Sequence, residues 1–262
     1  GHQHGLPVRA HELAPPLPPG RAGGGAVTAL LRDLLFPPRC AFCGRLMDAQ
    51  GDGVCPDCEG DLPYREGDAR LRFIGGEGFP CAAALYYDGP VPEGVHALKF
   101  NGKPWRAEVF GRFVARAASE VLEGPFDAVT YVPVSPLRNF RRGYDQARLI
   151  ARAAGKILGL RAEPTLRKIR HNRAQSSLTD PSERARNVRD VYTVPHPERV
   201  KGRRFLLVDD VCTTGSTMAA CARTLMEAGA ASVSCAALAG EHRRKGPKNG
   251  ADAPENSAKI KK

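Results

Sequence analysis

Along the chain, apolar residues recur with two different periods, and the alternation between them sets the expected architecture. In AVTALLRDLLF, residues 26–36, Val27, Leu30, Leu31, Leu34 and Leu35 stand three and four apart, the spacing of one helical face, and Pro37 and Pro38 end it. From residue 81 onward short apolar runs alternate with longer amphipathic ones. They are CAAALYYD, a helix over 105–122, DAVTYVPV, a helix over 145–158, TLRKI, a short helix near 183–189, FLLVDD, a helix over 217–228, and SVSCAALA. Strands alternating with helices predict an α/β fold with a mainly parallel sheet covered on both faces. FLLV and AVTYVPV are apolar at consecutive positions, as strands buried on both faces must be.

These patterns divide the chain into four expected units. Residues 1–25, rich in Pro and Gly, read as a disordered leader; 26–75 hold the first helix and a cysteine-rich module. Residues 76–240 form the main domain, entered through a hinge at Gly75–Gly78, and 241–262 form a polar, aperiodic, basic tail expected to be disordered. No run of about 18 apolar residues occurs, so no membrane span is expected.

Charge is the first feature that periodicity does not supply. The net charge is +11, and from Arg138 to Arg204 there are 18 Lys or Arg against 6 Asp or Glu. The middle of the chain therefore expects an anion, with polyphosphate and nucleic acid both suitable. A solvated basic face without a specific partner is the plain alternative.

Of eight cysteines, four fall in two CxxC pairs eleven residues apart, Cys40/Cys43 and Cys55/Cys58. Four thiolates suit one tetrahedral zinc ion and leave no open coordination position, so the expected zinc is structural. Cys81, Cys212, Cys221 and Cys235 lie in apolar segments, where free thiols suit a reducing compartment and hence a cytoplasmic protein.

The densest chemistry is FLLVDDVCTTGST, an apolar strand, two acids and a hydroxyl-rich turn that opens a helix. Backbone N–H groups of Thr213, Thr214, Gly215, Ser216 and Thr217 lack intrahelical partners there, which suits a phosphate dianion. Gly215 permits close backbone approach, and the four hydroxyls add donors. Asp209 and Asp210, at the carboxyl end of the strand, are placed to accept from vicinal ribose hydroxyls and to hold a hydrated Mg²⁺ ion. Two acids merely preceding an ordinary helix cap are the structural alternative.

Basic loops complete the candidate site. Ser135, Arg138, Arg141 and Arg142 follow the strand AVTYVPV and leave the same sheet edge, so their amides and guanidinium groups are candidate contacts for pyrophosphate or nucleic acid. Arg170 and Gln175 lie in a polar stretch that reads as a flap, and Lys99 ends a short helix from which it reaches a phosphate. A solvated loop or surface lysine is the alternative for each. No residue is singled out as a catalyst.

The segment VDDVCTTGST resembles the diphosphoribose-binding signature of type I phosphoribosyltransferases, in which the acid pair holds ribose and the turn holds the 5-phosphate of 5-phosphoribosyl 1-pyrophosphate. The order LLRDLLFPPRCAFCG, ALKFNGK, VPVSPLRNFRRGYDQARLIA, SERARNV and VDDVCTTGST resembles the ComF family across nearly all of residues 27–240. That resemblance implies a type I phosphoribosyltransferase fold behind a small four-cysteine zinc domain, and a role in DNA uptake during natural competence. Cys212, Asp145 and Asn172 depart from the family pattern, which often has an aliphatic residue, Asn and Thr there.

Three functions then stand side by side. One is handling of single-stranded DNA with the competence machinery, using the basic middle and a retained phosphoribosyl site. Another is an active phosphoribosyltransferase with a base or amine acceptor that the residues do not name. A third is a sensor that binds phosphoribosyl pyrophosphate without turnover. Phe100, Trp105, Phe140 and Tyr144 lie near basic positions as stacking candidates, with core packing the alternative for each.

Overall fold

The computed structural model describes residues 37–48, 52–100, 102–135, 143–169 and 191–241. The first helix, the leader, the tail beyond Glu241, the short helix near 183–189, and Arg138, Phe140, Arg141, Arg142, Arg170, Asn172 and Gln175 lie outside the described residues.

Among the described residues, five strands form one sheet in the order β1-β2-β7-β6-β3. They are β1 (Leu71–Ile74), β2 (Phe79–Tyr86), β3 (Ala128–Tyr131), β6 (Arg204–Val211) and β7 (Ser232–Gly240). β3, β6, β7 and β2 run parallel, with Val129 opposite Leu206, Leu207 opposite Cys235, and Cys235 opposite Cys81. β1 is antiparallel to β2. The glycine-rich stretch expected as a hinge is the turn of this hairpin, so residues on the zinc-module side of it contribute a strand to the main sheet.

The segment TLRKI also lies differently from a main-sheet strand. Among the described residues, its Arg167–Lys168 (β4) pair with Tyr192–Thr193 (β5), in a separate two-stranded ribbon that flanks the undescribed residues 170–190.

The parallel strands are buried on both faces, as their apolar runs require. Leu206 and Val208 of β6 join one cluster, with helices α3 (Arg106–Val121) and α4 (Gln146–Leu158). Phe205 and Leu207 join the other, with α5 (Ser216–Glu227). Each helix lies within a residue of its expected bounds, because each has an apolar stripe to bury. α4 also carries its own stops, with Asp145 accepting from the Arg148 N–H at its start and Gly159 closing it in the left-handed region. The helix α2 (Val91–Phe100) follows β2 and ends beside the carboxyl edge of the sheet. Among the described residues no helix is long and apolar enough to cross a membrane.

Candidate functional site

The four cysteines converge. The Sγ atoms of Cys40, Cys43, Cys55 and Cys58 all lie within 4.8 Å of one another, with Cys43 and Cys55 3.7 Å apart. Four thiolates bonded to one tetrahedral zinc stand about 3.8 Å apart, so the set fits that ion. Local structure explains the convergence. Gly44 and Gly53 take positive φ in the two turns, the Gly44 N–H donates to the Cys40 carbonyl, and Pro56 opens the short helix α1 (Pro56–Asp61) that carries Cys58. Burial opposes ionisation of Cys40, but backbone N–H groups of Cys55, Cys43 and Phe42 outweigh it and hold the thiol down to about 7. Burial and the neighbouring thiols push Cys58 up, an opposition that a bound cation reverses.

The module is seated on the main domain. Phe42 is fully buried against Phe110 and Phe113 of α3, with ring centroids 5.3 and 5.9 Å apart. Buried Arg106 donates to the carbonyls of Ala41 and Phe42, and Arg112 to that of Asp52. The sequence reading did not single out these clamps. An arginine on the face of α3 otherwise filled by alanine, valine and phenylalanine was the available signal.

Elsewhere in the main domain, β6 delivers the acid pair to the carboxyl edge of the sheet. Because side chains alternate along a strand, the two acids enter different faces. Asp210 lies on the α2 side, 6% exposed, with Lys99 Nζ 2.6 Å from its Oδ2. The contact is an ion pair rather than an aligned hydrogen bond, since Oδ2 is buried and has no hydrogen-bond partner among the described residues. Its Oδ1 accepts from the Val211 N–H at 2.9 Å. Asp209 lies on the α5 side, its Oδ1 accepting from the Asp210 N–H at 2.8 Å. Burial pushes the Asp209 carboxyl well up, the Asp210 charge adds to this, and the Asp210 N–H and Lys99 oppose it.

The turn beyond is built as a helix start. Gly215 caps α5 in the left-handed region, φ 76°, and no acid occupies the first turn of α5 to neutralise its positive end. Thr213, Thr214, Ser216 and Thr217 are exposed, with the Thr214 and Ser216 hydroxyl oxygens 3.0 Å apart and the Ser216 N–H donating to Thr214 Oγ1 at 3.3 Å. Gly215 has a second reason to be glycine. A Cβ there would lie 2.5 Å from Ile74 Cγ2 and 3.2 Å from Arg72 Nη2, so the turn packs directly on β1. Beneath it, Cys212 is buried and accepts from the Cys81 thiol, Sγ to Sγ 3.6 Å.

Ser135 is 3% exposed, four residues beyond the end of β3. Asp145 closes the base of the loop that follows. Its carboxylate accepts both from the Val134 N–H at 3.2 Å and from the Arg148 N–H at 3.1 Å. A carboxylate can accept at both oxygens, which accounts for Asp at this departure from the family pattern. Burial nevertheless raises its pKa against those donors. Tyr144 packs on the core and donates its hydroxyl to the Leu98 carbonyl, tying this loop to the helix that carries Lys99. The stacking candidate Trp105 is 37% exposed and faces the Arg106 guanidinium at 5.1 Å.

Comparison with known proteins agrees with this two-part geometry. A family model described as "Phosphoribosyl transferase domain" matches residues 146–256, and one described as "Double zinc ribbon domain" matches residues 31–69. Within the latter span the chain has four cysteines and no histidine, the ligands for one ion. "DNA utilization protein YhgH" of Escherichia coli O6:H1 is 31% identical over 213 residues, covering 74% of this chain and 86% of that protein. "Competence protein ComFC" of Streptococcus pneumoniae is 29% identical over 201 residues, covering 74% and 84%. "Competence protein F" of Haemophilus influenzae is 26% identical over 215 residues, covering 74% and 93%. With a four-cysteine zinc-binding module joined to a type I phosphoribosyltransferase domain of mixed α/β, mostly parallel fold, the chain belongs to the ComF family.

Proposed function

We propose that this chain binds 5-phosphoribosyl 1-pyrophosphate with Mg²⁺ and uses that site in handling single-stranded DNA during natural competence, in the cytoplasm. The observation that carries the ligand is the joint presence, at one sheet edge, of the acid pair Asp209 and Asp210, the latter ion-paired with Lys99, and a helix start with exposed hydroxyls and no acid in its first turn. A sugar phosphate suits both at once. Its vicinal hydroxyls donate to the carboxylates, and its 5-phosphate accepts from the turn Thr213–Thr217.

The acid pair also fits a hydrated divalent cation. Asp210 Oδ2 already has a cationic neighbour in Lys99, and the Asp209 carboxyl is pushed up by burial first and by the Asp210 charge second, both of which a nearby cation opposes. Asp209 and Asp210 would hold Mg²⁺ through its water shell, and the ion when bound supplies positive charge toward the pyrophosphate oxygens. Lys99, paired with Asp210, adds a further cation on the same side and is a proposed contact for pyrophosphate or nucleic acid. Ser135, Arg138, Arg141, Arg142, Arg170 and Gln175 are the proposed pyrophosphate or nucleic-acid contacts.

The DNA part of the reading rests on charge and on relatives. The stretch Arg138–Arg204 carries three basic residues for each acid, and the names of the related proteins speak of competence and DNA utilization. Buried free thiols at Cys81, Cys212, Cys221 and Cys235 support the cytoplasm.

Calorimetric titration of the zinc-loaded chain with phosphoribosyl pyrophosphate, with and without Mg²⁺, tests the ligand. Binding is expected to need Mg²⁺, and Asp210→Asn is expected to weaken it by about ten- to a hundredfold, the range for losing hydrogen bonds to a charged group. A folded Asp210→Asn protein with unchanged affinity would remove the proposed site. Single-stranded DNA is expected to bind at low salt and to weaken steeply as salt rises, because phosphate contacts release counterions. No affinity at low salt would remove the DNA part.

A further inference from the structure

The phosphate turn has a neighbour that the sequence reading passed over. β1 runs antiparallel to β2 with Arg72 opposite Cys81, and alternation along the strand puts Arg72 on the same face as buried Ile74, the α5 side. There its Nη2 reaches to 3.2 Å from the point a Gly215 Cβ would occupy, while its Nη1 donates to Glu241 Oε1 at 2.6 Å. The Arg72 side chain is 18% exposed and Glu241 51% exposed, so a largely covered cation meets a carboxylate that is half in water.

A second guanidinium stands at the same edge. The short stretch beyond α1 pairs with the end of β2, the Arg65 N–H donating to the Ala84 carbonyl and the Tyr86 N–H to that of Pro63. Arg65 then lies over the Tyr86 ring, 4.5 Å from its centroid, with Nη1 2.7 Å from where a Gly240 Cβ would be. At Cys212, the residue just before the turn, the Cys81 thiol does most to hold the thiol down against burial, with Arg72 and Arg65 acting in the same direction and Glu241 against it. The segment joining the zinc module to the sheet therefore backs the phosphate turn with positive charge.

We propose that Arg72 is a further binding residue of the phosphate turn: its guanidinium backs Gly215, supplies positive charge toward a sugar phosphate, and exchanges part of its pairing from the Glu241 carboxylate to that phosphate. This rests on the reading that Thr213–Thr217 receives a phosphate monoester. Carboxylate and phosphate offer the same fork of oxygens to a guanidinium, so the exchange keeps a charge-assisted pair throughout. It also gives Glu241 a defined role as a competitor: an anion fixed to the chain that the ligand must displace.

The test is titration of the full zinc-loaded chain with ribose 5-phosphate, alongside thermal unfolding. Arg72→Gln is expected to weaken binding about tenfold, Arg72→Lys to recover most of that loss, and Glu241→Gln to tighten binding about two- to fivefold, the scale of one charge-assisted contact. The recovery by Lys and the gain from Glu241→Gln are readouts that a purely structural Arg72 would not move. Arg72→Gln binding ribose 5-phosphate as the unsubstituted chain does would overturn the proposal. So would Arg72→Lys losing as much as Arg72→Gln while Glu241→Gln changes nothing. The preceding reading fails separately, if the unsubstituted chain binds neither ribose 5-phosphate nor phosphoribosyl pyrophosphate.

Discussion

The cysteine module and the phosphate turn reach their chemistry by opposite routes. In the module, all four donor atoms come from nineteen consecutive residues, Cys40–Cys58, and an ion would close the site from within. At the turn, the backbone donors are local but the charges around them are not. Asp209 and Asp210 come from β6, Lys99 from α2, Arg72 from β1 and Glu241 from the residue after β7. A local site depends on one ion, whereas a distributed one depends on the packing of the whole sheet edge. Phe42 and Arg106 connect the two by fixing the module to α3.

The largest effect that would break this contrast is on the module. Cys58→Ser, or chelation, is expected to abolish zinc binding, whose apparent free energy in small structural sites is about 10–16 kcal/mol, and to unfold residues 37–62. Zinc content by mass spectrometry or chromogenic assay and protease sensitivity of this segment check it. Retention of both zinc and protection would show that the four thiols do not hold the ion together.

Next, Phe42→Ala leaves the ligands in place but empties the pocket against Phe110 and Phe113. Truncating a buried Phe typically costs about 3–5 kcal/mol, so a clear fall in denaturation midpoint with zinc still bound is expected. An unchanged midpoint would mean that the module and domain are not packed as one core.

At the turn, Gly215→Ala must place a Cβ 2.5 Å from Ile74 Cγ2 at φ 76°. Left-handed strain of about 1–2 kcal/mol adds to overpacking of about 1–3 kcal/mol. Lower stability together with weaker ribose 5-phosphate binding is expected, while zinc content stays the same, which separates the two regions directly.

The smallest effect is a control far from both. Asp127 accepts from the Arg204 backbone N–H and from its guanidinium, whose hydrogen bonds hold the carboxyl at about 2, below its ordinary 3.8. A depressed acid stabilises the fold above its unfolded pKa, and this contribution is lost as pH falls through the folded one. Asp127→Asn should therefore lower the melting temperature slightly at neutral pH, the difference from the unsubstituted chain disappearing between about pH 4 and pH 2. A difference independent of pH would assign the effect to packing instead of charge.

The comparison also shows where sequence reasoning had purchase. Strands such as FLLV and helices such as 146–158 were legible because apolar period and burial are tied by geometry, and Asp145 and Gly159 supply the local stops. The hairpin partner Leu71–Ile74 was not legible as a strand of the main sheet. Four residues carry too little periodicity, and the glycines after it serve a tight turn as readily as a hinge. TLRKI has a strand-like pattern but, among the described residues, pairs with Tyr192–Thr193 and not with the main sheet, since which edge accepts a strand is a matter of tertiary space. At the site, the acids and hydroxyls were named from the sequence, but their opposite faces, the Lys99 pairing and the arginines behind the turn were not.

The sequence alone determined the parts whose information is local: four thiols at metal-binding spacing, an acid pair ahead of a hydroxyl-rich helix start, and the alternation of the long apolar strands with amphipathic helices. Only the tertiary structure decided which distant charges face each other, because residues as far apart as Arg72 and Glu241 meet solely through the pairing of β1, β2 and β7. The physical reason is range. A coordination set or helix start is fixed by a few consecutive dihedrals, whereas an electrostatic surround is set by whichever segments the buried core brings to the same edge.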